Sequence, residues 1–186
     1  MIFRTVEDAD LVRKARQGDV EALNVLISRW EKRVYNYLLR ILGSREDALD
    51  LSQEVFLKAY QNLRKLDDPG RFPPWLFRIA HNEAYSLLRR RKSETDEVPD
   101  EVSGSQISVA GLGVYPVELS LAVRGALARL SGEQREAVVL KVYQGFKFEE
   151  IAEIAGCPVS TVKSRLYTAL DLLKAELAPL HARGVS

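Results

Sequence analysis

One cysteine, Cys157, and two histidines, His81 and His181, are the only thiol and imidazole groups in 186 residues. A single thiol excludes an internal disulfide and leaves nothing for a cysteine-rich zinc site. The histidines stand far apart in the chain, so no cluster with metal-ligand spacing is expected, and neither is a metal or other cofactor. The sequence also has no nucleophile–base pair and no Walker-type glycine loop, which sets an enzyme reading aside. No run of about eighteen apolar residues occurs, so no helical membrane span or direct membrane insertion is expected. The first residues, Met1 to Asp8, turn acidic at once without a signal-peptide apolar core, and the expected location is the cytoplasm. Net charge is nearly absent as well: 27 basic against 26 acidic residues give +1.

The near-neutral total hides blocks of opposite charge. Arg89-Arg90-Arg91-Lys92 is a solid basic run, whereas Ser93 to Val117 contains five acidic residues and no basic one. Hydrophobic content of 46% with 28% charged residues fits a folded, helix-rich chain. Apolar residues recur at three- and four-residue steps, and no strand alternation is found.

Helix punctuation is legible. A short helix from Asp8 to Gln17 stops at Gly18. Asp19 caps a second helix with its apolar stripe at Ala22, Leu23, Leu26, Ile27, Trp30, Val34, Tyr37, Leu38 and Ile41, closed by Gly43. Ser44, with Asp47 three residues on, opens a third in the manner of a capping box. Its polar side carries Glu46, Asp47, Asp50, Gln53, Glu54 and Lys58. The turn-rich stretch Leu66 to Phe72 interrupts, and Pro73 and Pro74 suit the start of a fourth helix from about Trp75 to Lys92. Ser93 to Pro116 has the composition of a linker. A helix restarts over Val117–Leu130, Ser131 to Gln134 caps another that runs to about Tyr143, and a final pair covers Phe148–Ala155 and Val159 to about Leu177. The expected fold is all-α: two small helical domains, 8–92 and 117–178, joined by a flexible acidic linker, 93–116.

The final pair has the properties of a helix-turn-helix. Ala152 is small where two helices touch, Gly156 tolerates positive φ in the turn, and Pro158 keeps the first helix from running on. Ile151, Ala155, Val162 and Leu166 are apolar wedges. Ser160 is placed to cap the second helix, which then projects Thr161, Lys163, Ser164 and Arg165 outward, types suited to base edges and phosphates in a major groove. The plainer alternative is a helical hairpin with a solvated basic face, and the residue types at every constrained position favour DNA.

These segments together resemble the extracytoplasmic-function group of the sigma-70 family. Leu130-Ser131-Gly132-Glu133-Gln134-Arg135-Glu136-Ala137, Phe148 to Ala152 and Thr161 to Leu166 look like region 4. Glu46-Asp47-Ala48, Gln53 to Tyr60 and Trp75 to Asn82 look like region 2. The resemblance implies a sigma factor that binds core RNA polymerase and directs promoter-specific initiation at −10 and −35 DNA elements. It assigns −35 recognition to Ser160, Thr161, Lys163, Ser164, Arg165 and Tyr167. For −10 recognition it points to Arg71, Phe72, Arg78, Asn82, Arg89 and Arg90, with a flipped base held near Asn82 and the Asp68–Phe72 loop. Asp47, Asp50, Gln53 and Glu54 would grip the β′ coiled coil of the polymerase, and the β flap is a second implied contact. An anti-sigma factor is an implied partner.

Several features keep two readings. Trp75, Phe77 and Tyr85 sit at helical spacing and are read as core in preference to base-stacking. The Arg89–Lys92 run is either a solvated helix end or a phosphate contact, and its place beside the −10 surface favours the latter. The acidic linker is a spacer or an RNA mimic in the polymerase channel. His81 is expected at the surface or near DNA. Tyr167 is followed by Thr168 and Ala169 where some relatives carry arginine, so no −35 consensus is carried over. Cys157 is expected to pack as a small hydrophobe. The rival function is a stand-alone helix-turn-helix regulator, which would need a ligand pocket in the first half.

Overall fold

A computed structural model describes residues 6–94, 123 and 125–183, with side chains up to residue 178. Most of the expected linker and the start of the second domain therefore lie outside the described residues. All regular structure among the described residues is helical.

Three helices open the chain: α1 (Asp8–Arg16), α2 (Val20–Leu42) and α3 (Arg45–Asn62). Their ends follow local chemistry. The Asp19 carboxylate accepts the Ala22 N–H at 3.0 Å, and Gly43 takes φ 71° to end α2. Ser44 accepts the Asp47 N–H at 3.3 Å. The reciprocal half of the expected capping box is replaced by a longer-range bond, since the Asp47 carboxylate accepts from Arg91 at 2.7 Å. That pair ties the start of α3 to the end of α4 (Phe72–Glu94). Helix α4 begins earlier than expected, because Asp68 accepts the Gly70 N–H at 2.8 Å and sets a short 3-10 turn that feeds directly into Phe72. Pro73 and Pro74 then occupy its first turn, where missing N–H groups are harmless.

The second half contains α5 (Gly132–Val138), α6 (Phe148–Ala155) and α7 (Val159–Arg183). Ser131 and Gln134 form a complete capping box on α5. The helix expected to run to Tyr143 widens into a π turn over Val139–Tyr143. The wider turn sends Val139 and Leu140, both 0% exposed, inward. Such π turns are rare and concentrate at functional positions.

Packing joins the halves. Val34, Tyr37 and Leu38 of α2, Val55 of α3 and Leu76 and Phe77 of α4 belong to one apolar cluster, and Val139, Leu140, Phe146, Ile151 and Ile154 belong to the same cluster. Phe77 is its hub, with edge-on ring contacts to Tyr37 at 5.4 Å, Trp30 at 6.2 Å and Phe146 at 5.0 Å. A separate small cluster of Leu127, Leu130, Ala137, Val138, Leu166 and Ala169 belongs to the second half alone. Helical periodicity locates both sets of helices; it does not reveal that they share a core.

Candidate functional site

The helix-turn-helix closes through Gly156, at φ 63°, and the Cys157 N–H donates to the Ala152 carbonyl at 3.1 Å. Ile151 and Ile154 anchor α6, while Val162, Leu166 and Ala169 form the buried stripe of α7. That stripe turns Ser160, Lys163, Ser164 and Tyr167 to solvent. Ser160 is inside the first turn and is not the cap, because α7 starts at Val159 with the Pro158 carbonyl accepting from Thr161 and Val162. Thr161 is half-buried. Arg165, expected to project outward, lies back across the turn: its guanidinium is 3.6 Å from the Cys157 Sγ and 3.8 Å from Glu133. The exposed face thus keeps one cation, Lys163, among hydroxyl groups, a composition able to contact phosphates and base edges.

A second concave surface lies between the end of α3 and α4. A cleft of about 440 Å³ is lined by Arg78 and Asn82, both exposed, with Trp75 and Ile79 as its apolar wall. Lys58, Asn62 and Lys65 contribute from the α3 side. Lys58 is held there by Glu83 at 2.6 Å and Glu54 at 3.5 Å, which raise its pKa, the Glu83 bond most strongly. Arg89 and Arg90 continue outward along α4, fully at the surface. Hydrogen-bonding groups beside an indole wall suit a base removed from the stack.

Phe72, expected on this surface, is 3% exposed and packs on Trp75 at 6.0 Å between ring centres. It belongs to the core, a correction that follows from the early start of α4, which directs it inward. Trp75 is intermediate, serving core and cleft together, whereas Phe77 is fully buried. Arg71 is exposed but paired with Glu153 of α6, which stands at the rim of the same cleft.

The outward face of α3 carries Asp50, Gln53 and Glu54, all exposed. Asp47 is half-buried, and the Arg91 bond holds its carboxyl below the usual range. Leu49, Leu57 and Tyr60 are 54%, 50% and 59% exposed on this helix. Large apolar groups interspersed with carboxylates and left uncovered are the composition of a partner-binding face. Sequence periodicity had drawn only the acidic part of that face. Leu49 and Leu57 went unnoticed because they fall outside the buried stripe without being polar.

His81 is largely but not fully covered. Its Nδ1 lies 2.7 Å from the Glu136 carboxylate, and the Tyr37 hydroxyl donates to the same oxygen at 2.5 Å. Glu136 is 2% exposed. Burial first, and the Glu136 charge second, push the Tyr37 and Tyr85 hydroxyls upward. Among the described residues no group of three or more potential metal ligands comes together. No described helix is long and apolar enough to cross a membrane.

Both surfaces lie within segments that match known family models. The Sigma-70 region 2 model matches residues 26–94, which hold α3 and the cleft, and the Sigma-70 region 4 model matches residues 120–173, which hold the helix-turn-helix. The chain is 32% identical to the ECF RNA polymerase sigma-E factor of Haemophilus influenzae over 183 residues, 93% of this chain and 96% of that protein. The chain belongs to the sigma-70 family, in its ECF group. Its function is therefore promoter-specific transcription initiation through −10 and −35 DNA elements. This sigma factor is also 30% identical to the ECF sigma factor SigW of Bacillus subtilis, over 91% of this chain and 96% of that one. Among solved structures it is similar to the sigma factor RpoE of Bartonella quintana in complex with the anti-sigma factor NepR, at 28% identity and TM-score 0.70 over 83% of this chain and 96% of that one. It is similar too to CnrH in complex with the cytosolic domain of CnrY, at 26% identity and TM-score 0.69 over 92% and 97% of the two chains.

Proposed function

We propose that this sigma factor acts through three surfaces and catalyses nothing itself. The outward face of α3, with Asp50, Gln53, Glu54, Leu49 and Leu57, grips the β′ coiled coil of core RNA polymerase. Carboxylates around apolar anchors supply both steering toward a basic partner and desolvated contact area. Asp47 contributes through the Arg91 bond that fixes the start of this helix. The β flap is a second polymerase contact for the C-terminal half.

The cleft between α3 and α4 takes a flipped base of the −10 element, with Asn82 reading its edge and Arg71, Arg78, Arg89 and Arg90 holding the backbone. Phe72 supports this surface from beneath. The −35 element is met by Ser160, Thr161, Lys163, Ser164 and Tyr167 on α7, and Arg165 supports the turn. The working units are 8–92, the acidic connection 93–116 and 117–178. The site of action is the cytoplasm, where polymerase and promoter are found, and an anti-sigma factor is a partner, as for the solved RpoE of Bartonella quintana.

The observation that carries this reading is the coincidence of exposed, chemically suited faces with both matched family segments. Titrating an isolated β′ coiled-coil fragment against the labelled sigma factor tests the first assignment. Saturable binding that acidic replacement of Leu57 abolishes is expected; equal binding by that variant would remove α3 from the contact.

A further inference from the structure

Arg165 differs from the bracing arginines of this chain in what it holds. Arg135 donates to the Leu127 carbonyl at 3.1 Å and to the Ala128 and Leu130 carbonyls at 3.3 Å, and burial lowers its pKa. Arg16 donates to the Leu63 and Leu66 carbonyls. Backbone carbonyls are fixed acceptors, so both of these side chains are braces. Among the described residues Arg165 instead meets the Cys157 sulfur at 3.6 Å, a weak acceptor, and the Glu133 carboxylate at 3.8 Å. The Glu133 side chain is 54% exposed and that of Arg165 30%, so water screens the pair and it holds the arginine only weakly. The carboxylate itself is firmly placed. Ser131 and Gln134 close their capping box around it and keep Glu133 on the first turn of α5.

We propose that Glu133 stores Arg165 in the free protein and yields it to promoter DNA, so that this carboxylate sets how tightly the −35 element is held. The inference rests on the −35 reading of α7. A helix seated in the major groove runs between two phosphate strands. Lys163, with Tyr167 one turn on, supplies a cation to one edge of the exposed face. The other edge carries Thr161, Ser164 and Thr168, which offer hydroxyls alone. Arg165 neighbours Thr161 and Thr168 at one turn in either direction, so its long stem can lie across them and bring the guanidinium to that edge. The exchange favours DNA. A phosphate accepts two parallel bonds from a guanidinium, whereas Glu133 makes one contact at 3.8 Å. Once released, Glu133 is already solvated, and the turn keeps the bond from the Cys157 N–H to the Ala152 carbonyl at 3.1 Å. Glu133 is therefore a positioning residue that acts through Arg165. Each phosphate contact Arg165 makes is taken at the expense of this pair, so the carboxylate lowers promoter affinity.

Holoenzyme assembled from core polymerase and the full chain is titrated over a range of salt against a duplex promoter that it selects from a genomic library. Glu133→Gln keeps the shape and removes the charge, and is expected to tighten binding about threefold with an unchanged salt slope. Arg165→Ala is expected to weaken binding and to reduce the slope of log affinity against log salt by about 1, with Arg165→Lys restoring most of that slope. In the Arg165→Ala background, Glu133→Gln should change nothing. A gain from Glu133→Gln that survives in that background would mean direct repulsion of DNA by the carboxylate and would overturn the proposal. No gain from Glu133→Gln, or weaker binding with a lower melting temperature as for a brace, would overturn it equally. Lys163→Ala separates this inference from the reading beneath it. A slope lowered by Lys163→Ala but not by Arg165→Ala defeats the stored cation alone, whereas a slope moved by neither defeats the −35 assignment of α7.

Discussion

The Glu136 carboxylate accepts the Tyr37 hydroxyl at 2.5 Å across 99 residues of sequence. Tyr37 is 0% exposed and Glu136 2%, so neither group has water as an alternative partner while the halves are packed. Removing the hydroxyl leaves the charge short of a donor. Tyr37→Phe should therefore lower the unfolding free energy by ~1–3 kcal/mol in urea titration. A change below a few tenths would show that the bond contributes nothing net.

Phe72 and Asn82 should separate folding from reading. Phe72→Ala removes a core ring and should destabilise by ~3–5 kcal/mol, with promoter defects following only from lost fold. Asn82→Ala should leave the melting temperature within about a degree while reducing −10 strand opening severalfold, measured by permanganate reactivity of the promoter. Equal stability losses for both would erase the distinction.

Lys163 is the one cation among the five residues proposed to meet the −35 element, and it is exposed. Lys163→Ala should weaken −35 duplex binding across sequences and reduce the slope of log affinity against log salt by about 1. Its ammonium sits 5.4 Å from the Phe148 ring, a weak anchor, so stability should hardly change. An unaltered salt slope would show that it does not meet phosphate.

Leu57 is half exposed on α3 and belongs to neither buried apolar cluster. Leu57→Asp should reduce core polymerase affinity about tenfold or more, whereas Asp50→Ala and Glu54→Ala together should lose a few-fold, mostly in association rate and most visibly at low salt. Fluorescence anisotropy titration at two salt concentrations measures both. A larger loss from the carboxylates than from Leu57 would shift the contact's weight from apolar to ionic.

Much of the helical plan was readable because its stops are local chemistry: Asp19, Gly43, Ser131 and Gly156 act within four residues of themselves. Half of the helix-turn-helix face was readable for the same reason: the buried Val162 and Leu166 fix by period that Lys163 and Ser164 are exposed, whereas Thr161 is half-buried. Tertiary contacts were not. His81 looked like a surface residue because its partner, Glu136, is 55 residues away. Arg165 looked free because period places it beside Lys163, yet Glu133 and the Cys157 sulfur draw it back. Phe72 looked like loop until Asp68 was seen to set the turn that buries it. Lys65 and Asn62 at the cleft, and the apolar members of the α3 face, needed three dimensions for the same reason.

The most direct test is transcription reconstituted from purified core polymerase, this protein and a genomic fragment library, with sequencing of RNA 5′ ends. The account predicts discrete start sites that appear only when the protein is present and that share sequence upstream at two separated elements. No start sites above core polymerase alone, together with tight sequence-specific duplex binding by the free protein, would contradict it.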